Sequence, residues 1–226
     1  MKFYAGVVLY NPNKKNIEWV RSIRDSGLFS DVLIYDNSLI SHAGDFIDAG
    51  NSYISNLSND GLSKAYNSMI EKAILEKADF LCLLDQDSDY VPEEIEKMIS
   101  FLDTCFDKIN DSVIIAPRSY TANSKRVSRG DYITEVDFAI NSGSFLQLRI
   151  IATTGLRYDE EIFLDGVDYE FGMQIKEAGY RTIVYENSVL EQNLGYQIKD
   201  DDHFTHHGEK RYYLISHNRK YIFRKH

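Results

Sequence analysis

The sequence predicts an α/β fold built on a mainly parallel sheet, and three observations predict it. Apolar runs of strand length recur at residues 3–10, 31–35 and 80–84, as strands buried on both faces require. Segments with apolar residues at helical spacing separate them by short links, which is the βαβ pattern. The 226 residues suffice for one large domain with a real core, expected to span 1–226.

The elements justify themselves in order. Residues 3–10 (FYAGVVLY) read as a first buried strand, broken by Asn11-Pro12-Asn13. A helix is predicted over 14–25, with Ile17, Val20 and Ile23 inward and Gly27 beyond its end. Residues 31–35 form a second strand that closes on Asp36-Asn37-Ser38. That triplet reads either as a turn or as a ribose- or base-binding acid at a strand end. Residues 53–55 are a short strand. Asn59-Asp60-Gly61-Leu62 opens a helix to about Lys77, with Asn59 or Asp60 as its cap and Ala65, Met69, Ala73 and Ile74 as its apolar stripe. A phosphate can approach such a helix start, with Lys64 in reach.

Residues 80–84 supply the next strand, a helix follows from Pro92 to about Phe106, and 113–117 is again a buried strand. From Arg118 to Asp131 the texture is polar, with Arg118, Lys125, Arg126 and Arg129, a loop over the site or a solvated one. Residues 133–140 and 144–148 read as strands around Asn141-Ser142-Gly143, where Gly143 suggests close backbone approach or a bulge. A helix runs from Asp165 and Asp168 to Gly179, and 181–185 is a last strand. Asp165 and Asp168 sit at that helix start, a place where acids cap or catalyse.

The stretch Phe80-Leu81-Cys82-Leu83-Leu84-Asp85-Gln86-Asp87-Ser88-Asp89 is the centre of the functional reading. Its carboxylates follow a buried strand, where open α/β sheets bind ligands. Asp85 and Asp87 are two hard oxygen donors suited to Mn²⁺ or Mg²⁺ on a substrate phosphate. The same acids also read as caps for the helix opening at Pro92-Glu93-Glu94. A calcium loop fits less well, since Tyr90 stands where that loop needs Gly.

Composition narrows the function. Apolar residues are 43% and charged residues 27%, with 3 Pro and 13 Gly, as in an ordered globular chain. The net charge of −10 argues against a nucleic-acid partner. It fits an anionic substrate handled through a cation. Cys82 and Cys105 make no disulfide framework, so a reducing cytosol is expected. No signal peptide and no run of membrane-spanning length are seen. Residues 208–226 reverse the global charge, with six Lys or Arg against one Glu among Tyr212, Tyr213, Tyr221 and Phe223. Such a segment suits peripheral contact with a membrane surface, with nucleic acid the weaker reading of the same residues. Asp200 to His207 offer Asp and His ligands for a transition metal, or form a solvated loop.

Seven motifs in order carry a resemblance. They are Val7-Val8-Leu9-Tyr10-Asn11-Pro12; Asp36-Asn37-Ser38; Asn59-Asp60-Gly61 with Ala65 and Asn67; Leu84-Asp85-Gln86-Asp87-Ser88; Asn141-Ser142-Gly143-Ser144; Phe163-Leu164-Asp165-Gly166-Val167-Asp168-Tyr169-Glu170-Phe171; and Arg211-Tyr212-Tyr213 with Asn218. Together they resemble the family-two inverting glycosyltransferases of the GT-A fold, especially the rhamnosyltransferase-like branch, over nearly the whole chain. The resemblance implies a Rossmann-like nucleotide-diphospho-sugar transferase fold, with a mainly parallel sheet and a smaller mixed one. Residues 1–117 would be the nucleotide-binding half, 118–207 the acceptor and catalytic half, and 208–226 a C-terminal segment. Tyr10 and Asp36 would hold the base. Asn59, Gly61, Lys64 and Gln86 would line the nucleotide-sugar pocket. Asp85 would meet the ribose or the metal shell, Asp87 would ligate Mn²⁺ or Mg²⁺, and Asp168 would be the general base. The implied donor is a nucleotide-diphospho-sugar, rhamnose or another hexose, and the implied acceptor a glycan or lipid-linked glycan of a cell-surface polysaccharide.

The chain departs from that family at three places. Gln174 stands where Arg is frequent, Gln192 where a metal-binding His is usual, and His217 where Arg is usual. A histidine among His203, His206 and His207 is the candidate substitute ligand. Two other classes stay open: a non-catalytic nucleotide- or glycan-binding module of the same fold, and a nucleotidyltransferase. The latter usually has a Gly-rich phosphate loop where Asn11-Pro12-Asn13 stands.

Overall fold

The computed structural model describes residues 1–47, 52–86, 88, 90–121, 130–192 and 209–226. In chain order the elements are β1 (Phe3–Leu9), α1 (Lys14–Asp25), β2 (Asp31–Asp36), α2 (Ala43–Phe46), β3 (Ser52–Ser55), α3 (Leu62–Leu75), β4 (Phe80–Asp85), α4 (Pro92–Thr104), β5 (Ser112–Thr121), β6 (Ile133–Val136), β7 (Phe145–Gln147), α5 (Leu148–Thr154), α6 (Val167–Glu177), β8 (Arg181–Gln192) and α7 (Glu209–Lys225). The eight strands join in one sheet of order β3-β2-β1-β4-β7-β5-β8-β6. Its first four strands are parallel neighbours. Strand β7 runs antiparallel between β4 and β5, β5 and β8 are parallel, and β6 closes the far edge antiparallel to β8. The parallel half and the mixed half thus meet through three residues of β7.

The period of two in the strands divides the core between two faces. In β1, Tyr4 and Val8 turn to one face with α3, α5, α6 and Ile222 of α7. Phe3, Ala5, Val7 and Leu9 turn to the other, with α1 and α4. The same alternation splits β4 into Leu81 and Leu83 against Phe80, Cys82 and Leu84. Burial on both faces is why these strands are continuously apolar.

Helix α1 begins in a capping box: Asn13 accepts from the Asn16 N–H at 3.1 Å, and Asn16 accepts from the Asn13 N–H at 2.9 Å. The start of α3 differs from expectation. Gly61, not Asn59 or Asp60, occupies the cap position, and no side chain caps the helix. The Leu62 N–H donates instead to the Phe163 carbonyl at 2.8 Å. A distant loop therefore takes the role a local cap was expected to fill.

The mixed half differs more. Strand β8 continues to Gln192 because its polar residues have partners: Ser188 donates to the Glu94 carbonyl at 2.9 Å, and Glu186 receives Arg118 at 3.2 Å and Thr134 at 2.9 Å. Strand β6 stops at Val136, where the chain leaves the sheet and Asp137 and Phe138 pack on Gly172 of α6. Helix α5 is unexpected, since Leu148, Ile150 and Ile151 read equally well as strand.

Candidate functional site

The strand order turns back between β1 and β4: β2 and β3 lie on one side of β1, and β4 on the other. Open α/β sheets bind ligands at such a point, beyond the carboxyl ends of the strands. Those ends carry Tyr10 and Gln86. The Gln86 side-chain amide bridges the gap, accepting from the Tyr10 N–H at 2.9 Å and donating to its carbonyl at 3.3 Å. Asn16 donates to the Gln86 carbonyl at 2.9 Å. The Tyr10 main chain is thereby fixed while its ring stays 47% exposed.

Beside it, Asp36 is completely buried. One oxygen accepts from the Ser38 N–H at 2.9 Å. The other meets the Tyr53 hydroxyl at 2.5 Å and the His42 ring nitrogen Nδ1 at 2.9 Å. Burial alone would raise this carboxyl, but the bonds from Ser38, Tyr53 and His42 hold it below its ordinary range. Asp36 is thus held between its own loop and Tyr53 of β3. Asn37 fastens that loop to the next one, with its amide donating to the Gly61 carbonyl at 3.1 Å and its oxygen accepting from the Asp60 N–H at 3.1 Å.

The Asn59-Asp60-Gly61 loop is itself held. Asp60 accepts from Asn56 at 2.9 Å, Ser58 at 2.8 Å and Tyr35 at 2.9 Å, and pairs with Lys64 at 3.3 Å. The bond from Asn56 leads in lowering the Asp60 carboxyl to about 2. Gly61 adopts φ 83° and ψ 176°, a region closed to other residues. A Cβ there would stand 2.6 Å from the Phe163 carbonyl oxygen. Asn59 remains exposed.

Asp85 ends β4 half-buried. Its N–H reaches the hydroxyls of Ser88 at 3.0 Å and Ser142 at 3.4 Å, and those two serines are hydrogen-bonded to each other. Its carboxylate accepts from the Tyr66 hydroxyl at 3.3 Å. Gly143 lets the Ser142 loop lie against β4, with its N–H on the Leu83 carbonyl at 2.7 Å. At its φ of 79°, an added Cβ would meet the Leu190 side chain at 2.7 Å. The close approach expected at Gly143 is therefore present.

Tyr66 connects Asp85 to Asp168. Burial pushes its phenol well above the ordinary value, and the charges of Asp85 and Asp168 both add to that. Tyr158, with its ring centroid 5.0 Å from that of Tyr66, is raised by burial and by Asp168. Two buried tyrosines thus form a wall: Tyr66 bonds Asp85 at the end of β4, and the charge of Asp168, in the first turn of α6, acts on both phenols. Sequence reasoning assigned neither tyrosine. Tyr66 follows Ala65 of the expected stripe, and its four-residue spacing to the buried Ile70 was the available signal. Tyr158 lies in irregular chain and carried none.

Of the two acids considered at the start of α6, Asp165 is bound by Arg211 through contacts of 2.9–3.2 Å. Among the described residues Asp168 forms no ion pair, and its Oδ1 accepts from the Tyr169 N–H at 2.9 Å. Burial lifts the Asp168 carboxyl above the ordinary range, against the N–H groups of Tyr169 and Asp168, with Asp165 adding to the rise.

Helix α7 closes the region. Asn218 donates to the Asp165 carbonyl at 2.8 Å. Lys225 pairs with Asp159 and with the buried Glu170, each at 2.6 Å. Gln174 donates to both Glu170 oxygens, at 2.9 Å and 2.7 Å. Glu170 of α6 thus takes its partners from Gln174 of the same helix and from the end of α7.

The oxygen chemistry and placement of Asp85 fit Mn²⁺ or Mg²⁺. Among the described residues, however, no group of three or more His, Cys, Asp or Glu is gathered for a metal. Asp87, His203, His206 and His207 lie outside the described residues, as do Lys125, Arg126 and Arg129. Among the described residues no helix is long and apolar enough to cross a membrane.

No family model and no curated protein matches the chain by sequence. Solved structures do match. TarS 1-349 of S. aureus superposes with a TM-score of 0.61 at 16% identity, over 85% of this chain and 60% of that one. The same protein in complex with UDP gives 0.59 at 15% identity, over 86% and 61%. GalNAc-T7 with UDP, GalNAc and Mn²⁺ gives 0.66 at 10% identity, over 88% and 44%. The chain therefore spans about half to three fifths of these neighbours' lengths. Its architecture, an α/β fold with a mixed central sheet, is that of the GT-A glycosyltransferases.

Proposed function

We propose that the protein is an inverting glycosyltransferase that moves a sugar from a nucleotide diphosphate to a glycan or lipid-linked glycan. One observation carries the reading. Asp85, at the turning point of the strand order, accepts from Tyr66 of the Tyr66–Tyr158 wall, and Asp168, at the start of α6, lies close enough for its charge to act on both phenols. One carboxylate suits the diphosphate side of a reacting sugar, and the other suits the acceptor side. The UDP complex of TarS and the UDP, GalNAc and Mn²⁺ complex of GalNAc-T7 support a nucleotide-sugar donor.

The exposed Tyr10 ring would receive the base, with Asp36 shaping that loop from beneath. Asn59, Gly61 and Lys64 would border the nucleotide. Asp85 and Gln86, with Asp87, would face the diphosphate. Asp85 and Asp87 would hold Mn²⁺ or Mg²⁺, which when bound neutralises charge developing on the leaving diphosphate. Asp168, raised by burial yet able to ionise, would take the proton from the acceptor hydroxyl. That oxygen would then bond the anomeric carbon as the bond to the diphosphate breaks on the opposite face. No covalent enzyme intermediate is required, and the configuration inverts. Rhamnose is the favoured sugar on the sequence resemblance, and the basic, aromatic α7 is the side facing the cytoplasmic leaflet.

A thermal-shift panel of UDP, TDP and GDP, each with and without Mn²⁺, tests donor binding. At about 100 times its Kd, the cognate nucleotide is expected to add roughly 2.7 kcal/mol of stability. Failure of every nucleotide to raise the melting temperature would count against the proposal.

A further inference from the structure

The described Lys and Arg side chains of α7 divide into two sets. Arg211 and Lys225 dock the helix, through Asp165, Asp159 and Glu170. Arg219, Lys220 and Arg224 are exposed and form no ion pair among the described residues. Helical spacing puts Lys220 and Arg224 on one outward face with Tyr213, 69% exposed, while Phe223, 86% exposed, borders that face toward Arg219. Three unpaired cations beside large exposed aromatics are unusual on a chain of net charge −10. They complement an anionic, partly apolar surface.

Along the flank of this face a groove of about 840 Å³ is lined by residues of α6 and α7, with Arg219 the one of the three cations that lines it. Its walls include Tyr169, Met173, Ile215 and Phe223, with Arg219 at its rim. Phe138 packs edge-on to Tyr169 at 5.0 Å and closes one end. The groove also touches Asp165 and Gly166 at the start of α6. An apolar trough with a cationic rim, opening on a basic aromatic face, matches the two ends of an anionic lipid.

We infer that this groove takes the hydrocarbon chain of an anionic lipid presented by a membrane, with the lipid's head group over Arg219, Lys220 and Arg224. The inference shares α6 and α7 with the glycosyltransferase reading but not its chemistry. Lipid binding itself does not depend on that reading. A second copy of the chain is the competing occupant.

The test is co-sedimentation of the full chain with vesicles of phosphatidylglycerol and phosphatidylcholine, against vesicles of phosphatidylcholine alone. Partitioning to the anionic vesicles only is expected. Replacing Arg219, Lys220 and Arg224 together by Ser should weaken it about a hundredfold. Phe223→Ser, at a position too exposed to disturb folding, should weaken it about tenfold. Phe223→Ser should also weaken the fraction bound in high salt, where purely electrostatic adsorption is screened. Equal binding to both vesicle types, or no effect of Phe223→Ser, overturns the inference. So does a concentration-dependent dimer in sedimentation equilibrium that Phe223→Ser dissolves, since a second copy would then fill the groove. UDP, TDP and GDP binding by the unmodified chain separates the two failures. Nucleotide binding without vesicle binding sinks the groove alone, and vesicle binding without nucleotide binding sinks the enzyme reading alone.

Discussion

At the scale of single residues, Asp168 carries the sharpest expectation. A general base acts only when ionised, and burial raises this carboxyl above its ordinary range. The rate should therefore rise with pH through that elevated pKa, placing the acid limb of kcat/KM above where an exposed carboxylate would put it. Asp168→Asn should remove that limb from any residual activity. A limb that persists unchanged in Asp168→Asn would assign it to another group. Asp165, three residues earlier, is held by Arg211 and is not the base in this account. The two acids were indistinguishable as letters, because what separates them is a partner on α7. The Asp85 position was legible, since a carboxylate after five apolar residues is a pattern of spacing alone. Tyr66 and Tyr158 were not, because their role depends on which carboxylates the fold brings to them.

At the scale of elements, two contacts tie the halves of the site together. The first is Gly61, where α3 begins against Phe163. Gly61→Ala would place a Cβ 2.6 Å from a backbone oxygen at a φ of 83°. It should cost about 1–3 kcal/mol from the backbone conformation alone, with the clash in addition. Urea unfolding would measure it, and an unchanged midpoint would show that the loop yields freely. The second is the clasp of α7 on α6. Lys225→Met leaves Glu170, 1% exposed, with the His226 ring nitrogen at 3.2 Å and Gln174 as its remaining partners. The expected loss is about 1–2 kcal/mol, below that of a broken, fully buried pair because those partners remain and Lys225 is 35% exposed. Glu170→Gln in the same chain should recover part of it. A loss no larger than that of the exposed Lys220→Met would contradict the clasp. Helices α1 and α4 and strands β1, β2 and β4 were legible because capping residues, Pro92 and apolar runs are local signals. The start of α3, the length of β8 and helix α5 were not, because Phe163, Glu94 and the sheet edge decide them from far away in the chain.

At the scale of the whole molecule, the parallel half carries the residues proposed to meet the donor. Tyr10, Gln86 and Asp85 stand at the carboxyl ends of β1 and β4, where the strand order turns back. The mixed half brings Asp168 to the same wall, and α7 closes over it. The alternation of apolar strands and amphipathic helices announced the first half from the sequence. The insertion of β7 between β4 and β5 had no such signal, because three apolar residues do not specify which neighbours they pair with.

The central claim is that the corner of Asp85 and Asp168 transfers a sugar from a nucleotide diphosphate, and donor turnover tests it most directly. Release of nucleotide diphosphate would be followed with Mn²⁺ across a panel of UDP-, TDP- and GDP-linked sugars, for the native chain, Asp85→Asn and Asp168→Asn. The account predicts turnover of one donor, falling by about 10²–10⁴-fold in Asp168→Asn while nucleotide binding is kept. It would be contradicted by a folded chain that turns over none of them, or by turnover that Asp168→Asn leaves intact.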